Sequence, residues 1–144
     1  MNQLEKSLKT KKLRLTNARK VIFDLLAKSE KPLSPKSILD RIHQSKTIKA
    51  DQASVYRNLM LFTEIGLVHR LDSGRYTMCK YNEHDCSGHR HIIINCSVCG
   101  AIQELNHHQK DVELLTDKLT QLIDNYTDFT DITLSGKCND CAKN

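Results

Sequence analysis

Apolar residues recur at helical spacing in three successive segments of the first half of the chain. Thr16 is a suitable N-cap for the first segment, whose apolar residues then follow at intervals of three and four. In the second segment, Ser34 suits the N-cap and Pro35 the first helical position. Asp51 can cap the third segment and Gly66 can end it. The pattern therefore predicts three consecutive helices.

Two short extended runs follow, on either side of the turn sequence Asp-Ser-Gly at residues 72–74. Glycine-containing turns of this kind are typical of a β-hairpin. Three helices and a hairpin predict a winged helix-turn-helix domain, whose third helix enters the DNA major groove. Its polar face carries Gln52, Ser54, Tyr56 and Arg57, although Tyr56 could instead pack on the hairpin and Arg57 could pair with an acidic neighbour.

The periodicity changes in the second half of the chain. Residues 91–95 and 101–105 read as strands, a helix is predicted from Val112 to Leu122, and residues 131–134 form a last strand. The predicted fold is thus α+β, with a winged-helix domain at 1–80, a hinge at 81–87 and a small α/β domain at 88–144.

Charge supports this division. Residues 1–80 contain 17 Lys and Arg against 7 Asp and Glu, whereas residues 81–144 contain 5 against 10. Clustered cations favour a nucleic-acid-binding half over the alternative of a merely solvated charged surface. The composition, 39% hydrophobic and 27% charged, excludes a disordered or repetitive chain. We expect a cytoplasmic protein without a membrane partner, because no apolar run approaches the ~18 residues of a membrane span.

Two Cys-x-x-Cys pairs lie in the second half, Cys96 with Cys99 and Cys138 with Cys141. Four thiolates form a closed tetrahedral zinc site, which stabilises a small domain. Redox dithiols or simply reduced cysteines are the alternatives in a cytosolic chain. Neither pair lies in a thioredoxin-like context, so the spacing favours a structural zinc ion.

Further donors flank the predicted hinge: His69, Cys79, His89 and Glu104, with His91 as an additional candidate. These side chains can converge only if the hinge brings the second half back to the hairpin. A set that contains a thiolate favours zinc over iron or manganese. An ion bound by both halves would fix their orientation and act as a switch. No role follows from the sequence for Cys86, His107 or His108.

Six segments make the sequence similar to the ferric uptake regulator family of bacterial metal-dependent repressors over nearly the whole chain. They are LRLTNAR at 13–19, PLSPKSIL at 32–39, ASVYRNL at 53–59, EIGLVHRL at 64–71, CSVCGAIQEL at 96–105 and GKCNDC at 136–141. The resemblance implies an N-terminal winged helix, a C-terminal dimerisation domain, a four-cysteine structural zinc and a regulatory metal site at the hinge. It also implies that Tyr56 and Arg57 contact DNA and that Arg14 approaches the minor groove.

The resemblance also bears on the metal. Iron and peroxide sensors of the family typically have a histidine where this chain has Pro32, and a late histidine where it has Ile93. The zinc uptake regulator branch instead uses a histidine in the GLVH segment, a cysteine that closes the hairpin, and a histidine before and a glutamate after the first Cys-x-x-Cys pair. This chain has His69, Cys79, His89 and Glu104 at those places, and His91 could replace His89.

The sequence therefore predicts a homodimeric, zinc-responsive repressor of zinc-uptake functions that binds a pseudo-palindromic double-stranded DNA operator. Structural and regulatory zinc are its expected cofactors, and no catalysis or small-molecule substrate is expected. An iron- or peroxide-responsive regulator is the nearest alternative. A zinc hydrolase or deaminase is more remote, since no proline precedes Cys96 or Cys138 as the deaminase signature requires. A purely structural zinc module would leave the basic half without a purpose.

Overall fold

A computed structural model describes residues 2–80, 90–105, 109–127, 129 and 131–143. The chain divides into two compact units, Met1–Ser87 and Gly88–Asn144. The predicted hinge at 81–87 lies outside the described residues, as do His84, Cys86, His89, His107 and His108. Within the described ranges, no helix has the length and apolar character needed to cross a membrane.

The first unit consists of helices followed by a hairpin. Its described elements are α1 (Gln3–Thr10), α2 (Asn17–Ala27), α3 (Pro35–Ser45), α4 (Gln52–Glu64), β1 (Val68–Arg70) and β2 (Tyr76–Met78). The predicted caps are confirmed, because the side chains of Thr16, Ser34 and Asp51 each accept the backbone N–H three residues on. Gly66, with φ of 73°, follows the end of α4, as predicted.

Helix α1 was not predicted from the pattern of apolar residues. Its N-terminus carries a capping box between Asn2 and Glu5, and its two apolar side chains, Leu4 and Leu8, are buried in the core of the first unit. Lys12 then adopts φ of 54° and the Leu13 N–H bonds to the Leu8 carbonyl at 2.8 Å, which ends the helix. Two apolar positions are too few to reveal a helical period.

Helix α4 packs its apolar stripe into the core of the first unit. Val55, Leu59 and Phe62 are fully buried, and the edge of one ring of the Phe23–Phe62 pair meets the face of the other at 6.1 Å. The hairpin pairs β1 with β2 antiparallel, and a bridge from Leu33 to Tyr76 extends it. Helices α2, α3 and α4 with this hairpin form the predicted winged helix.

The second unit is built around a three-stranded sheet. Its described elements are β3 (His91–Cys96), β4 (Ile102–Glu104), α5 (Gln109–Leu122), β5 (Asp131–Gly136) and α6 (Asn139–Ala142). The central strand β3 pairs antiparallel with β4 and parallel with β5. Arg90 fastens α5, because its guanidinium donates to Thr116 Oγ1 at 2.7 Å and pairs with Asp117. The predicted α+β class is confirmed.

Candidate metal centres and nucleic-acid interface

The two cysteine pairs lie at the same end of the sheet in the second unit. Strands β3 and β5 are parallel and paired as far as Cys96 and Gly136, so the segments that follow the two strands leave the sheet next to each other. Ser97 joins the ends of the two strands, because its N–H and its hydroxyl both donate to the Gly136 carbonyl, at 2.8 and 3.1 Å. Cys138 occupies the N-cap position of the short helix α6, whose single turn carries Cys141, the second thiol of its pair.

The four sulfurs fit a single tetrahedral ion. The ligand atoms of Cys96, Cys99, Cys138 and Cys141 all lie within 4.8 Å of one another. Zinc–sulfur bonds of ~2.3 Å in a tetrahedron place sulfurs about 3.8 Å apart. The Sγ atoms of Cys99 and Cys138 are separated by 3.8 Å. This cluster could hold zinc, as the spacing of the two pairs predicted.

The local hydrogen bonds push the pKa values of two of these thiols in opposite directions. Backbone N–H groups of Cys138 and Cys99 point at Cys96 Sγ and lower the pKa of that thiol to about 6. The pKa of Cys141 is raised to about 12, because its thiol hydrogen-bonds to the sulfurs of Cys138 and Cys99. One thiolate forms readily, whereas the complete set of four requires a cation to stabilise it.

A second pair of donors is buried within the same unit. His91 is the first residue of β3 and Glu104 the last of β4, and the strand register places Glu104 opposite Ile93. His91 therefore lies diagonally beside Glu104 on one face of the sheet, and its Nδ1 is 2.7 Å from Glu104 Oε1. Both side chains are almost completely buried. His89, the sequence-predicted partner, lies outside the described residues.

The hairpin of the first unit carries another buried pair, His69 and Cys79. His69 lies on β1, and the Cys79 N–H donates to the Leu67 carbonyl at 2.9 Å just beyond β2. Positions 67 and 69 share a face of β1, so the side chain of Cys79 lies on the same face as that of His69. A ring nitrogen of His69 is within 4.8 Å of Cys79 Sγ.

The polar face of α4 points away from the core. Tyr56 is 42% exposed, and Arg57 is also exposed, while Ser54 is half-buried and donates its N–H to Asp51 at 2.7 Å. Among the residues described, no ion pair joins Arg57 to Asp51 or Glu64. Arg14 lies exposed before α2, and its carbonyl accepts a hydrogen bond from the Arg19 guanidinium. These side chains are thus available to a nucleic acid.

Sequence reasoning did not single out the connection between α3 and α4. A cavity there is lined by His43, Lys46 and Lys49 together with the predicted DNA-binding residues Ser54 and Arg57. The only sequence signal was the polar stretch at 45–49, which reads as an ordinary loop.

Comparison with known proteins identifies this arrangement. Residues 10–124 match the profile of the ferric uptake regulator family. The chain belongs to that family. A ferric uptake regulation protein of Neisseria gonorrhoeae is 30% identical over 141 residues, which cover 93% of this chain and 90% of the relative. A peroxide-responsive repressor of Staphylococcus saprophyticus is 29% identical over 143 residues, covering 94% and 86%.

Among solved structures, a zinc uptake regulator complexed with zinc and DNA superposes with a TM-score of 0.78 at 26% identity. The match covers 98% of this chain and 91% of that structure. As a member of the ferric uptake regulator family, this chain is a metal-responsive, DNA-binding repressor of transcription and not an enzyme.

Proposed function

We propose that this family member is a zinc-responsive repressor that binds a pseudo-palindromic operator as a homodimer and controls zinc uptake from within the cytoplasm. One observation carries the choice of metal: Cys79 is buried beside His69 in the first unit, so a sulfur ligand is available next to the imidazole nitrogen. A thiolate among the ligands favours zinc, whereas iron and manganese sensors rely on nitrogen and oxygen donors.

The proposed regulatory site takes one pair of donors from each unit. His69 and Cys79 supply nitrogen and sulfur, while His91 and Glu104 supply nitrogen and oxygen. The 2.7 Å contact between His91 and Glu104 supports His91 in place of His89, since it sets an imidazole beside the predicted carboxylate. Zinc commonly takes four ligands of these types. An ion held by both groups would take the place of their mutual hydrogen bond, whose proton would be released to solvent.

A second, structural zinc ion is proposed at the four cysteines. These ligands are complete without a water or substrate, so the site stabilises the second unit and takes no part in sensing. Each chain then binds one structural and one regulatory ion.

The switch follows from the division of the regulatory donors between two units. When both pairs share one ion, the units lose their independent orientations, and one spacing of the two α4 helices in a dimer is selected. Linkage then requires that DNA strengthen zinc binding by the same factor that zinc strengthens DNA binding. Couplings of this kind are typically about 1–3 kcal/mol.

The test compares the parent protein with Cys79→Ser. The operator is first selected from a random duplex library with zinc-loaded protein, and fluorescence anisotropy then measures DNA affinity at buffered free zinc, iron and manganese. Cys79→Ser should keep one zinc per chain, stay folded, and bind the operator weakly at every zinc concentration. Cys86→Ser, the same chemical change at a cysteine without an assigned ligand role, should behave like the parent.

The iron- and peroxide-responsive relatives define the alternative function. If iron or manganese activates the parent more strongly than zinc at equal free concentration, the zinc assignment is wrong. If Cys79→Ser retains the full zinc-dependent gain in DNA affinity, the ligand set is wrong.

A further inference from the structure

A cavity of about 960 Å³ opens between the end of α3 and the start of α4. Its lining includes His43 from α3, Lys46 and Lys49 from the connection, Asp51 at the N-cap of α4 and Arg57 in the second turn of α4. The base-facing residues of a recognition helix project from the helix itself. This cavity lies beside the helix and is formed mainly by the chain that leads into it.

The connection has a defined conformation. Lys46 adopts the left-handed φ of 52°, and its N–H donates to the Ile42 carbonyl at 3.1 Å at the end of α3. Ile48 packs against the hydrophobic core. The ring Nε2 of His43 hydrogen-bonds to the Ala50 carbonyl at 3.0 Å, immediately before the N-cap of α4. These contacts hold the backbone of Lys46 and Lys49 in place, so binding a ligand costs little backbone conformational entropy.

The charge of the cavity favours an anion. Lys46, Lys49 and Arg57 are exposed cations, and Asp51 is the single acidic side chain in the lining. The Asp51 carboxylate accepts the Ser54 N–H at 2.7 Å as the cap of α4, which fixes it at the helix start. The lining therefore has an excess of positive charge on a held scaffold.

We propose that Lys46 and Lys49, together with the edge of α4, bind phosphodiester groups of the DNA backbone and so set the position of the recognition helix on the duplex. This inference rests on the proposed DNA-binding function and adds a contact site to it. Lysines suit phosphate as point charges. Contacts to phosphate fix the register of a protein on DNA without reading its sequence. His43 acts as a positioning residue, because its Nε2 is hydrogen-bonded to the Ala50 carbonyl and so holds the connection to the end of α3.

The test measures the salt dependence of DNA affinity for Lys46→Ala, Lys49→Ala and the double variant, on the selected operator and on an unrelated duplex. The slope of log K against log salt is negative, and each lost phosphate contact should reduce its magnitude by about 0.9. This change corresponds to about eightfold weaker binding at 0.1 M salt. The factor should be the same for both duplexes, because no base is read. Lys28→Ala removes an equal charge from the same unit outside the cavity and should leave the slope unchanged.

A second arm replaces single backbone phosphates of the operator by uncharged methylphosphonates. At the contacted phosphate, the replacement should weaken the parent but not the double variant. An unchanged salt slope in both single variants, with a parent that binds the operator, would overturn the cavity's role alone. A parent without DNA affinity would overturn the proposed function as well. Pyrophosphate binding that is lost in the double variant, with normal DNA slopes, would show a small-anion site instead.

Discussion

At the scale of single residues, the buried pair of His91 and Glu104 is the most informative contact in the second unit. A carboxylate removed from water is costly unless a donor or a cation compensates it. The 2.7 Å contact supplies that compensation, and each group becomes a liability if the other is removed. The pair thus holds two metal-ligating side chains next to each other in the interior of the second unit.

Glu104→Gln tests the role of this carboxylate. The amide keeps the shape of the carboxylate and can still hydrogen-bond to His91, so the fold and the structural zinc should be retained. Zinc-dependent DNA binding should need at least about tenfold more free zinc, because changes around metal ligands typically lower metal affinity by about 10–100-fold. Zinc stoichiometry and anisotropy across a zinc titration measure the two effects. Glu113→Gln, at an exposed position of α5, is the matched control. Equal zinc responses of Glu104→Gln and the parent would remove Glu104 from the site.

Some of this residue-scale detail was accessible from the sequence, and some was not. The types of donor and the importance of Glu104 followed from the resemblance and the clustering. The contact of His91 with Glu104 depends on where β3 begins and on the register of β3 with β4, which turn geometry and packing set. A shift of one residue would have turned His91 to the opposite face.

At the scale of elements, capped helices were the most predictable features. Thr16, Ser34 and Asp51 mark the starts of α2, α3 and α4 because each side chain satisfies a backbone N–H that the helix leaves open. Helices α1 and α6 were missed, the first for lack of a repeated apolar pattern and the second because it is a single turn held by its place in the cysteine cluster. The sheet order also lay beyond the pattern, since parallel pairing of β3 and β5 joins distant segments.

Cys96→Ser tests the element-scale role of the four-cysteine site. Structural zinc sites contribute about 10–16 kcal/mol of apparent binding energy to folding, so loss of one ligand should unfold the second unit and release its zinc under mild chelation. Thermal melts by circular dichroism and metal analysis check this. Cys79→Ser makes the same chemical change outside the cluster and should retain both stability and one zinc ion. Full zinc content and parental thermal stability in Cys96→Ser would contradict the assignment.

At the scale of the whole molecule, apolar surface is distributed unevenly. Exposed large apolar side chains concentrate in the second unit, where the helix α5 shows Leu114, Leu115 and Leu122 to solvent and β5 shows Leu134. In the sheet order of the described strands, β5 is also an edge strand that pairs on one side only. Exposed apolar patches and open strand edges are characteristic of surfaces that meet a partner. This distribution supports the proposed dimerisation of the acidic, second unit.

The final prediction concerns that dimer. Leu122 is 72% exposed on α5, and a two-fold interface would bury it once from each protomer. Replacing it by aspartate removes about 1.5–3 kcal/mol of apolar burial per copy, so the dimer should weaken at least about 100-fold. Light scattering after size-exclusion chromatography should show monomers at micromolar concentration. Met60→Asp, an equally polar change at an exposed position of α4 in the first unit, should remain dimeric. Because a monomer presents one α4 helix instead of two, Leu122→Asp should also bind a single half-site and the complete operator with equal affinity. A stable Leu122→Asp dimer with parental operator affinity would place the dimer interface elsewhere.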